Sequence, residues 1–281
     1  MKTAWITGAN GLIGNYLVQT AAKFPQWSVR LMTRAQFDLL DFKAAEREFK
    51  KDRPQLIIHS AAISTVAEAQ KNPELARRVN VEATKFLAEL AAEISFVFFS
   101  TDIVFDGRKG NYTETDATNP LHSYGESKVA AEQIILKNPK HLVARTSLNG
   151  GVSRSGNRGF NEQLHKSLAS GQGMKLFTDE FRCPLHAGET ARAVWELVEN
   201  NCAGIYHVAG AEKLSRFQIG QLLIQRWPDV KTQLESGLTT DFPGPPRALD
   251  TSLDISKVQG ILSKPILGLG EWLKKNPAEP F

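Results

Sequence analysis

Long apolar runs are absent from this 281-residue chain, and cysteine is scarce. No stretch approaches roughly eighteen consecutive apolar residues, so an ordinary membrane-spanning helix is excluded. The N-terminus runs directly into TAWITGANG, without the charged and long apolar regions of a secretory signal. Two cysteines, Cys183 and Cys202, have neither metal-ligand spacing nor the density of a disulfide framework. We therefore expect a soluble, cytoplasmic protein without a membrane partner, a disulfide or a metal site.

Charge of one sign is not concentrated anywhere in the chain. The formal net charge is +4, but the basic residues are scattered among acidic ones and are not interleaved with aromatics. This pattern does not favour nucleic-acid binding. A basic pocket for a phosphorylated small molecule would give the same modest excess, so we expect a small-molecule partner.

Apolar runs alternate with helical patterns through the first half of the chain. Strands are predicted at TAWIT, WSVRLMTR, PQLIIHSAAIS, SFVFFSTDIVF and HLVARTS, and residues at helical spacing lie between them. One of these helices is expected to begin after Asp41, which is a suitable N-cap. Because the strands are apolar throughout, we expect a parallel sheet with helices on both faces, which is a doubly wound, Rossmann-like α/β fold.

The texture of the sequence changes near residue 150. GGVSRSGNRG is a loop rich in glycine, serine and basic residues, and the periodic segments after it are shorter. We expect a dinucleotide-binding domain over residues 1–150 and a smaller, mainly substrate-binding lobe over residues 151–281. The apolar run GIYHVAG, around residues 203–210, is expected to return to the main sheet.

A glycine-rich turn, TGANGLIG, lies between the first strand and the first helix. Gly8 permits the sharp turn, Gly11 lets backbone N–H groups approach a pyrophosphate, and Gly14 allows close packing of helix on strand. The sequence therefore predicts a dinucleotide site that comprises Gly8, Asn10, Gly11, Leu12, Ile13 and Gly14.

The end of the second strand indicates which dinucleotide is bound. An acidic residue there would hold a ribose 2′-hydroxyl, but the sequence reads Met32-Thr33-Arg34. An arginine suits a 2′-phosphate, so NADP(H) is preferred and NAD(H) stays open. The alternative is that Arg34 is a solvated strand end.

YGESK places Tyr124 and Lys128 one helical turn apart. Such a pair also occurs by chance on solvated helices, but a nicotinamide site gives it a chemical meaning. A tyrosine whose pKa is lowered by a neighbouring ammonium can protonate the alkoxide formed from a carbonyl. Ser100 and Thr101 end a central strand and supply hydroxyls at the edge where open parallel sheets bind ligands.

Taken together, TGANGLIG, DLLD, PQLIIHSAA, RRVNVEAT, STDIVFDG, YGESK, ARTS, GIYHVAG and LDISK resemble the extended short-chain dehydrogenases/reductases, in that family's order. More narrowly, the chain is similar to the dTDP-4-dehydrorhamnose reductases and their relatives, which act on nucleotide sugars. The resemblance implies a catalytic triad of Thr101, Tyr124 and Lys128. It also implies a cofactor site that includes Leu40, Asp41 near the adenine, Ala61, Ala62, Asn80 and Ser100.

Two positions depart from the reductases that this chain resembles. An aromatic residue usually follows STD there and a tryptophan follows RTS, whereas this chain has Ile103 and Leu148. Thr101, Asp102, Ile103 and Leu148 are the expected sugar-lining residues, so the sugar stays undetermined. The resemblance also implies that Arg247 binds a substrate diphosphate. The alternative for Arg247 is an ion pair with Asp250 or Asp254, and Arg182 is a further candidate for the anion with a structural alternative.

Several chemistries stay open. Related dehydratases use Asp then Glu after the threonine, and an isoleucine at 103 cannot move a proton, so dehydration is not expected. Reduction leads over epimerisation. A third alternative is a non-catalytic NADP-binding regulatory subunit, like that of methionine adenosyltransferase. His59, His186 and His207 lack paired ligand spacing and are expected to be hydrogen-bonded histidines. The resemblance is compatible with a homodimer.

Overall fold

The computed structural model describes residues 1–36, 38–231, 234–244 and 246–281. Its strands are β1 (Lys2–Thr7), β2 (Trp27–Met32), β3 (Leu56–His59), β4 (Ser95–Thr101), β5 (Leu142–Thr146), β6 (Asn149–Gly150), β7 (Lys175–Phe177), β8 (Phe181–Arg182), β9 (Leu185–His186), β10 (Gly204–Val208), β11 (Leu214–Ser215) and β12 (Glu235–Gly237). Its α-helices are α1 (Leu12–Thr20), α2 (Phe42–Asp52), α3 (Val66–Lys71), α4 (Pro73–Arg77), α5 (Ala83–Leu90), α6 (Ser123–Ile135), α7 (Phe160–Ala169), α8 (Ala187–Glu199), α9 (Arg216–Ile224), α10 (Ser256–Gln259) and α11 (Leu269–Lys275). A π-helical turn covers Arg78–Glu82, and short 3₁₀ turns cover Ala21–Lys23, Asp102–Val104 and Thr239–Asp241.

Six strands form one parallel sheet in the order β10-β5-β4-β3-β1-β2. The chain moves from β1 to β2 at one edge and then crosses back to β3 on the other side of β1. This reversal is the topological switch point of a doubly wound fold, where ligands bind at the carboxyl ends of the strands. The predicted Rossmann-like α/β class is confirmed.

Helices cover the sheet on both faces. Ala4 and Ile6 of β1 pack with Leu17 of α1 and Trp195 of α8 on one face. Trp5, between them in the chain, packs on the other face with side chains of α5 and α6. Because successive side chains of a strand point to opposite faces, burial on both sides requires the uniformly apolar strands seen in the sequence. No helix in the described ranges is long and apolar enough to span a membrane.

The smaller lobe has a core of its own. Leu164 of α7, Ile219 of α9 and Trp272 of α11 belong to one buried cluster that is separate from the two sheet faces. The chain nevertheless returns to the main sheet, because β10 pairs with β5 in parallel and α8 packs on α1. The expected return of GIYHVAG to the main sheet is confirmed. The boundary near residue 150 stays a prediction.

Helices α2 and α6 begin close to residues that the sequence analysis singled out. The Asp41 carboxylate accepts a hydrogen bond from Ala44 N at 2.9 Å, so Asp41 caps α2 as the sequence predicted. Helix α6 begins at Ser123, which places Tyr124 and Lys128 one turn apart with both side chains buried. Their pairing on one face of a helix is therefore a feature of the fold.

Candidate active site

A cleft of about 1050 Å³ lies at the carboxyl edge of the sheet and extends to the smaller lobe. Ligand sites usually measure about 300–1,000 Å³, so this cleft is large enough for a long or composite ligand. The sequence-predicted residues that line it are Gly8, Asn10, Gly11, Leu12, Ile13, Gly14, Arg34, Ala61, Ala62, Ser100, Thr101, Asp102, Ile103, Tyr124, Lys128, Leu148, Arg182 and Arg247. Three predicted residues, Leu40, Asp41 and Asn80, are not among the lining residues.

The glycine-rich turn forms one end of the cleft. Gly8 has φ of +67°, and a Cβ there would lie 2.7 Å from Ala61 N. A Cβ on Gly14 would collide with the carbonyl of Gly8. Helix α1 then begins with no side-chain cap and no acidic residue in its first turn. The backbone is therefore exposed at a helix N-terminus, and this fits the phosphates of a dinucleotide.

Arg34 is exposed at the end of β2 and lines the same end of the cleft. Asp38 also lines it, and its carboxylate accepts from Leu40 N at 3.0 Å. The sequence reasoning overlooked Asp38, although it is the first residue of DLLD. Both a guanidinium and a carboxylate are thus available where a ribose or its 2′-phosphate would bind.

Asn80 does not line the cleft, but its hydrogen bonds connect two segments of the chain that do. Its side chain accepts from Ile63 N at 2.9 Å and donates to Ile63 O at 3.1 Å and Ser127 Oγ at 3.0 Å. These bonds join the segment after β3 to α6. Asn80 therefore positions two walls of the cleft, just as Asp41 holds the start of α2, and neither side chain is directed to the ligand space.

Thr101, Tyr124 and Lys128 all line the cleft, and Tyr124 has a side-chain hydrogen bond with Thr101. Thr101 ends β4, and its hydroxyl donates to Asp102 Oδ1 at 3.1 Å. Lys128 Nζ lies 4.1 Å from the centre of the Phe98 ring. The nearby Ser100 Oγ is buried and has no hydrogen-bond partner among the described residues.

The pKa values correct one expectation. Burial and the Asp102 carboxylate raise the pKa of Tyr124, while a hydrogen bond with Thr101 acts in the opposite direction. Burial lowers the pKa of Lys128 to about 7, against the attraction of Glu132. The expectation that a neighbouring ammonium lowers the pKa of Tyr124 is therefore wrong for the polypeptide alone, because Lys128 itself loses charge near neutral pH.

Asp102 links the end of β4 to the smaller lobe. Its Oδ2 accepts from Ser147 Oγ at 2.6 Å, Thr251 Oγ1 at 3.2 Å and Arg182 Nη1 at 3.4 Å. With Thr101 on the other oxygen, both carboxylate oxygens have protein partners. Asp102 lines the cleft as predicted, but its contacts are those of an anchor.

Three arginines surround one fully buried carboxylate, Glu180. Arg182 Nη2 and Arg216 Nε each lie 3.0 Å from Glu180 Oε1, and Arg247 contacts both oxygens. Burial alone would raise the pKa of Glu180, but the arginines outweigh it and hold that pKa well below its usual range. The predicted alternative for Arg247, an ion pair with Asp250 or Asp254, is wrong, because the guanidinium pairs with Glu180.

Arg216 was missed by the sequence reasoning, as was Glu180. All three arginines line the cleft. Arg216 Nη1 is buried and has no hydrogen-bond partner in the described part of the chain. Since a buried, unpaired guanidinium N–H is costly, this end of the cleft is suited to an anion.

The histidines make ordinary hydrogen bonds. His59 lies between Thr7 Oγ1 at 2.7 Å and Thr84 Oγ1 at 3.0 Å, and burial lowers its pKa to about 3. His186 Nδ1 accepts from Gly188 N at 3.2 Å, and His207 Nδ1 lies 3.1 Å from Asp254 O. Within the described ranges, no group of three or more His, Cys, Asp or Glu side chains could hold a metal ion.

Comparisons with known proteins agree with this geometry. The family model described as the RmlD substrate binding domain matches residues 1–273. The chain is 32% identical to a probable low-salt glycan biosynthesis reductase, Agl14, of Haloferax volcanii, over 94% of each chain. It is 28% identical to a dTDP-4-dehydrorhamnose reductase of Aggregatibacter actinomycetemcomitans, over 92% of each chain. It is also 28% identical to a methionine adenosyltransferase 2 subunit beta of Xenopus laevis, over 92% of this chain and 82% of that protein.

Solved structures share the fold over almost the whole chain. A hypothetical dTDP-4-dehydrorhamnose reductase from Sulfolobus tokodaii is 31% identical, with a TM-score of 0.85 over 96% of this chain and 97% of that one. A Bacillus anthracis dTDP-4-dehydrorhamnose reductase in complex with NADP has a TM-score of 0.89 over 98% of both chains. Its identity is 23%, so it supports the fold alone.

Proposed function

Because this chain belongs to the RmlD substrate binding domain family, we propose that it is an NAD(P)-dependent oxidoreductase that reduces the 4-keto group of a nucleotide sugar. One observation carries the proposal. The glycine-rich turn, the group of Thr101, Tyr124 and Lys128, and the arginines around Glu180 line one continuous cleft. The cleft can therefore accommodate a dinucleotide, a substrate carbonyl group and a substrate diphosphate next to one another.

The cofactor end of the cleft comprises the backbone from Gly8 to Gly14, with Ala61, Ala62 and Ser100 along its length. When bound, a nicotinamide cofactor supplies the hydride for the carbonyl carbon. Lys128 is suited to donate to the nicotinamide ribose, and the unpaired Ser100 hydroxyl is a further donor. Arg34 favours NADP(H), whereas Asp38 beside it is compatible with NAD(H).

Tyr124 is the proposed proton donor. Reduction of a ketone places negative charge on its oxygen, and a group that still holds its proton at neutral pH must supply one. The raised pKa of Tyr124 keeps the phenol protonated in the polypeptide. The Thr101 hydroxyl, oriented by Asp102, is suited to polarise the same oxygen.

Reduction and epimerisation would use the same tyrosine. An epimerase of this kind begins by oxidising an alcohol, for which the tyrosine acts as a base, and then reduces the ketone, for which it acts as an acid. The raised pKa of Tyr124 therefore does not separate the two reactions, and the family match favours reduction as the first candidate. Epimerisation is therefore the second candidate reaction.

The sugar nucleotide is proposed to lie with its diphosphate at Arg182, Arg216 and Arg247. Three guanidiniums and two carboxylates, Glu180 and Asp102, leave one positive charge in excess. Bidentate guanidinium geometry suits phosphate oxygens. Ile103 and Leu148 line the same cleft, so the sugar is proposed to meet two aliphatic side chains.

The test is the decay of NADPH absorbance with a panel of 4-keto nucleotide sugars. Consumption of NADPH in proportion to product supports the reductase. Interconversion of sugar hydroxyl isomers without net NADPH consumption assigns an epimerase.

A binding subunit is the third candidate, because similarity to methionine adenosyltransferase subunits extends over most of the chain. Tight NADPH binding without turnover of any sugar, combined with binding to a methionine adenosyltransferase catalytic subunit, would replace the reductase by that function. The homodimer suggested by the resemblance stays a prediction that sedimentation can check.

A further inference from the structure

The segment of residues 151–159, between β6 and α7, lies against the glycine-rich turn. Val152 N donates to Tyr16 Oη at 3.1 Å, which attaches the segment to α1. Arg154 Nη1 donates to Asn10 Oδ1 at 2.7 Å, across 144 residues of sequence. Arg158 lines the cleft. The segment thus brings the Arg154 guanidinium to the glycine-rich turn and places Arg158 in the wall of the cleft.

This segment is held in a defined shape by Glu162. The carboxylate accepts from Ser153 N at 2.7 Å, Ser153 Oγ at 2.7 Å, Arg158 N at 2.9 Å and Gly159 N at 2.8 Å. Glu162 is the carboxylate nearest to Arg154 and Arg158 along the chain, and its oxygens are therefore occupied by backbone N–H and hydroxyl donors. Neither Arg154 nor Arg158 has an ion pair with a carboxylate in the described part of the chain.

The charges around this turn do not balance. Helix α1 begins without a side-chain cap or an acidic residue in its first turn, so its N-terminus is a region of positive potential. Arg154, at Asn10, and Arg158, in the cleft wall, add two positive charges from the smaller lobe. Such an arrangement attracts an anion to this part of the cleft.

We propose that Arg154 and Arg158 form a clamp for the pyrophosphate of the dinucleotide at the glycine-rich turn. Arg154 can keep its bond to Asn10 while its other N–H groups face the phosphates, since a guanidinium has five. The clamp rests on the proposed cofactor function. The clamp and Arg34 are proposed to bind different groups. The clamp binds the pyrophosphate, which NADP(H) and NAD(H) share, whereas Arg34 binds the 2′-phosphate, which only NADP(H) carries.

The experiment measures dissociation constants for the full chain with Arg154→Gln, Arg158→Gln and both substitutions. Arg47→Gln, an exposed arginine on α2, is the matched control. The probes are NADPH, NADH, ADP-ribose and dTDP. Loss of one charge-assisted contact corresponds to a decrease in affinity of about tenfold. We expect the double variant to lose about 10- to 100-fold for NADPH, NADH and ADP-ribose alike, with the NADPH-to-NADH ratio unchanged.

Two further measurements compare the wild type with the double variant. Inorganic pyrophosphate should displace ADP-ribose from the wild type, and it should do so more weakly from the double variant. The dependence of ADP-ribose affinity on ionic strength should be smaller in the double variant, because two charges are removed.

The outcomes separate the clamp from the proposed function. If wild type binds NADPH and the double variant binds it equally well, the clamp is overturned and the reductase proposal stands. Weaker dTDP binding with unchanged ADP-ribose binding also overturns it, since the arginines then bind substrate. Failure of wild type to bind NADPH or ADP-ribose overturns both. Arg154→Lys, which keeps the charge, should recover part of the lost affinity.

Discussion

Lys128 Nζ lies 4.1 Å from the centre of the Phe98 ring, so the ammonium is buried against an aromatic face. Burial lowers the pKa of this amine to about 7, and the attraction of Glu132 only partly opposes that shift. In the unfolded chain a lysine titrates at about 10.4. Between these two values the unfolded chain holds a proton that the folded protein does not.

The contribution of Lys128 to the free energy of unfolding should therefore rise with pH between about 7 and about 10.4, and it is lost as the pH falls through this window. Lys128→Met should lack this contribution. Urea denaturation of both proteins at several pH values across the window measures it. Parallel pH profiles would show that Lys128 keeps its proton in the folded state.

Tyr124→Phe removes the proposed proton donor and leaves the ring in place. We expect turnover of a 4-keto nucleotide sugar to fall by roughly two to four orders of magnitude, with NADPH affinity nearly unchanged. Tyr206→Phe, in β10 and outside the cleft lining, is the control and should retain activity. An unaltered rate in Tyr124→Phe would remove this phenol from the mechanism.

Arg34→Asp should change cofactor preference toward NAD(H). A guanidinium contact with the 2′-phosphate is charge-assisted, so NADPH affinity should fall about 10- to 100-fold while NADH affinity changes little. Titration of both cofactors measures the ratio, with Arg47→Asp as the control. The same ratio before and after would show that Arg34 is a solvated strand end.

Glu180→Gln leaves three guanidiniums without their shared carboxylate. Removing one partner of a buried ion-pair network costs about 3–5 kcal/mol of unfolding free energy. Glu46→Gln, which breaks only an exposed pair with Lys50, should cost less than about 1 kcal/mol. Equal effects of the two substitutions would show that the arginines do not depend on Glu180.

Acid provides a second check on Glu180. Its folded pKa lies well below the unfolded value of about 4.3, so its contribution is present above that value and is lost as the pH falls below it. Glu180→Gln should flatten the acid limb of the stability profile relative to wild type. An identical acid limb would mean that Glu180 is not held ionised by the arginines.

The local parts of the site were predictable from the sequence. Gly8 is required by a left-handed backbone angle and Gly14 by contact with the preceding turn, and both conditions arise within eight residues of chain. Tyr124 and Lys128 share a face because a helix repeats every 3.6 residues. The alternation of apolar strands and helices likewise reflects burial on both sides of a parallel sheet.

The prediction failed where a property depends on distant segments. The alternative considered for Arg247, an ion pair with the nearby Asp250 or Asp254, is replaced by a pair with Glu180, 67 residues away. The pKa of Tyr124 was expected to be low, but burial and Asp102 raise it. Asp41 and Asn80 were expected at the cofactor, but their hydrogen bonds show that Asp41 caps α2 and that Asn80 joins the segment after β3 to α6.

The glycine-rich turn, the spacing of Tyr124 and Lys128 and the doubly wound sheet could be read from the chain alone, since each follows from backbone angles or periodicity over a few residues. Which charges meet depends on the folded arrangement. Glu180 gathers arginines from three separate segments, and Arg154 reaches Asn10 from the smaller lobe. Electrostatic interactions act through space and depend on burial, so no local pattern in the chain specifies them.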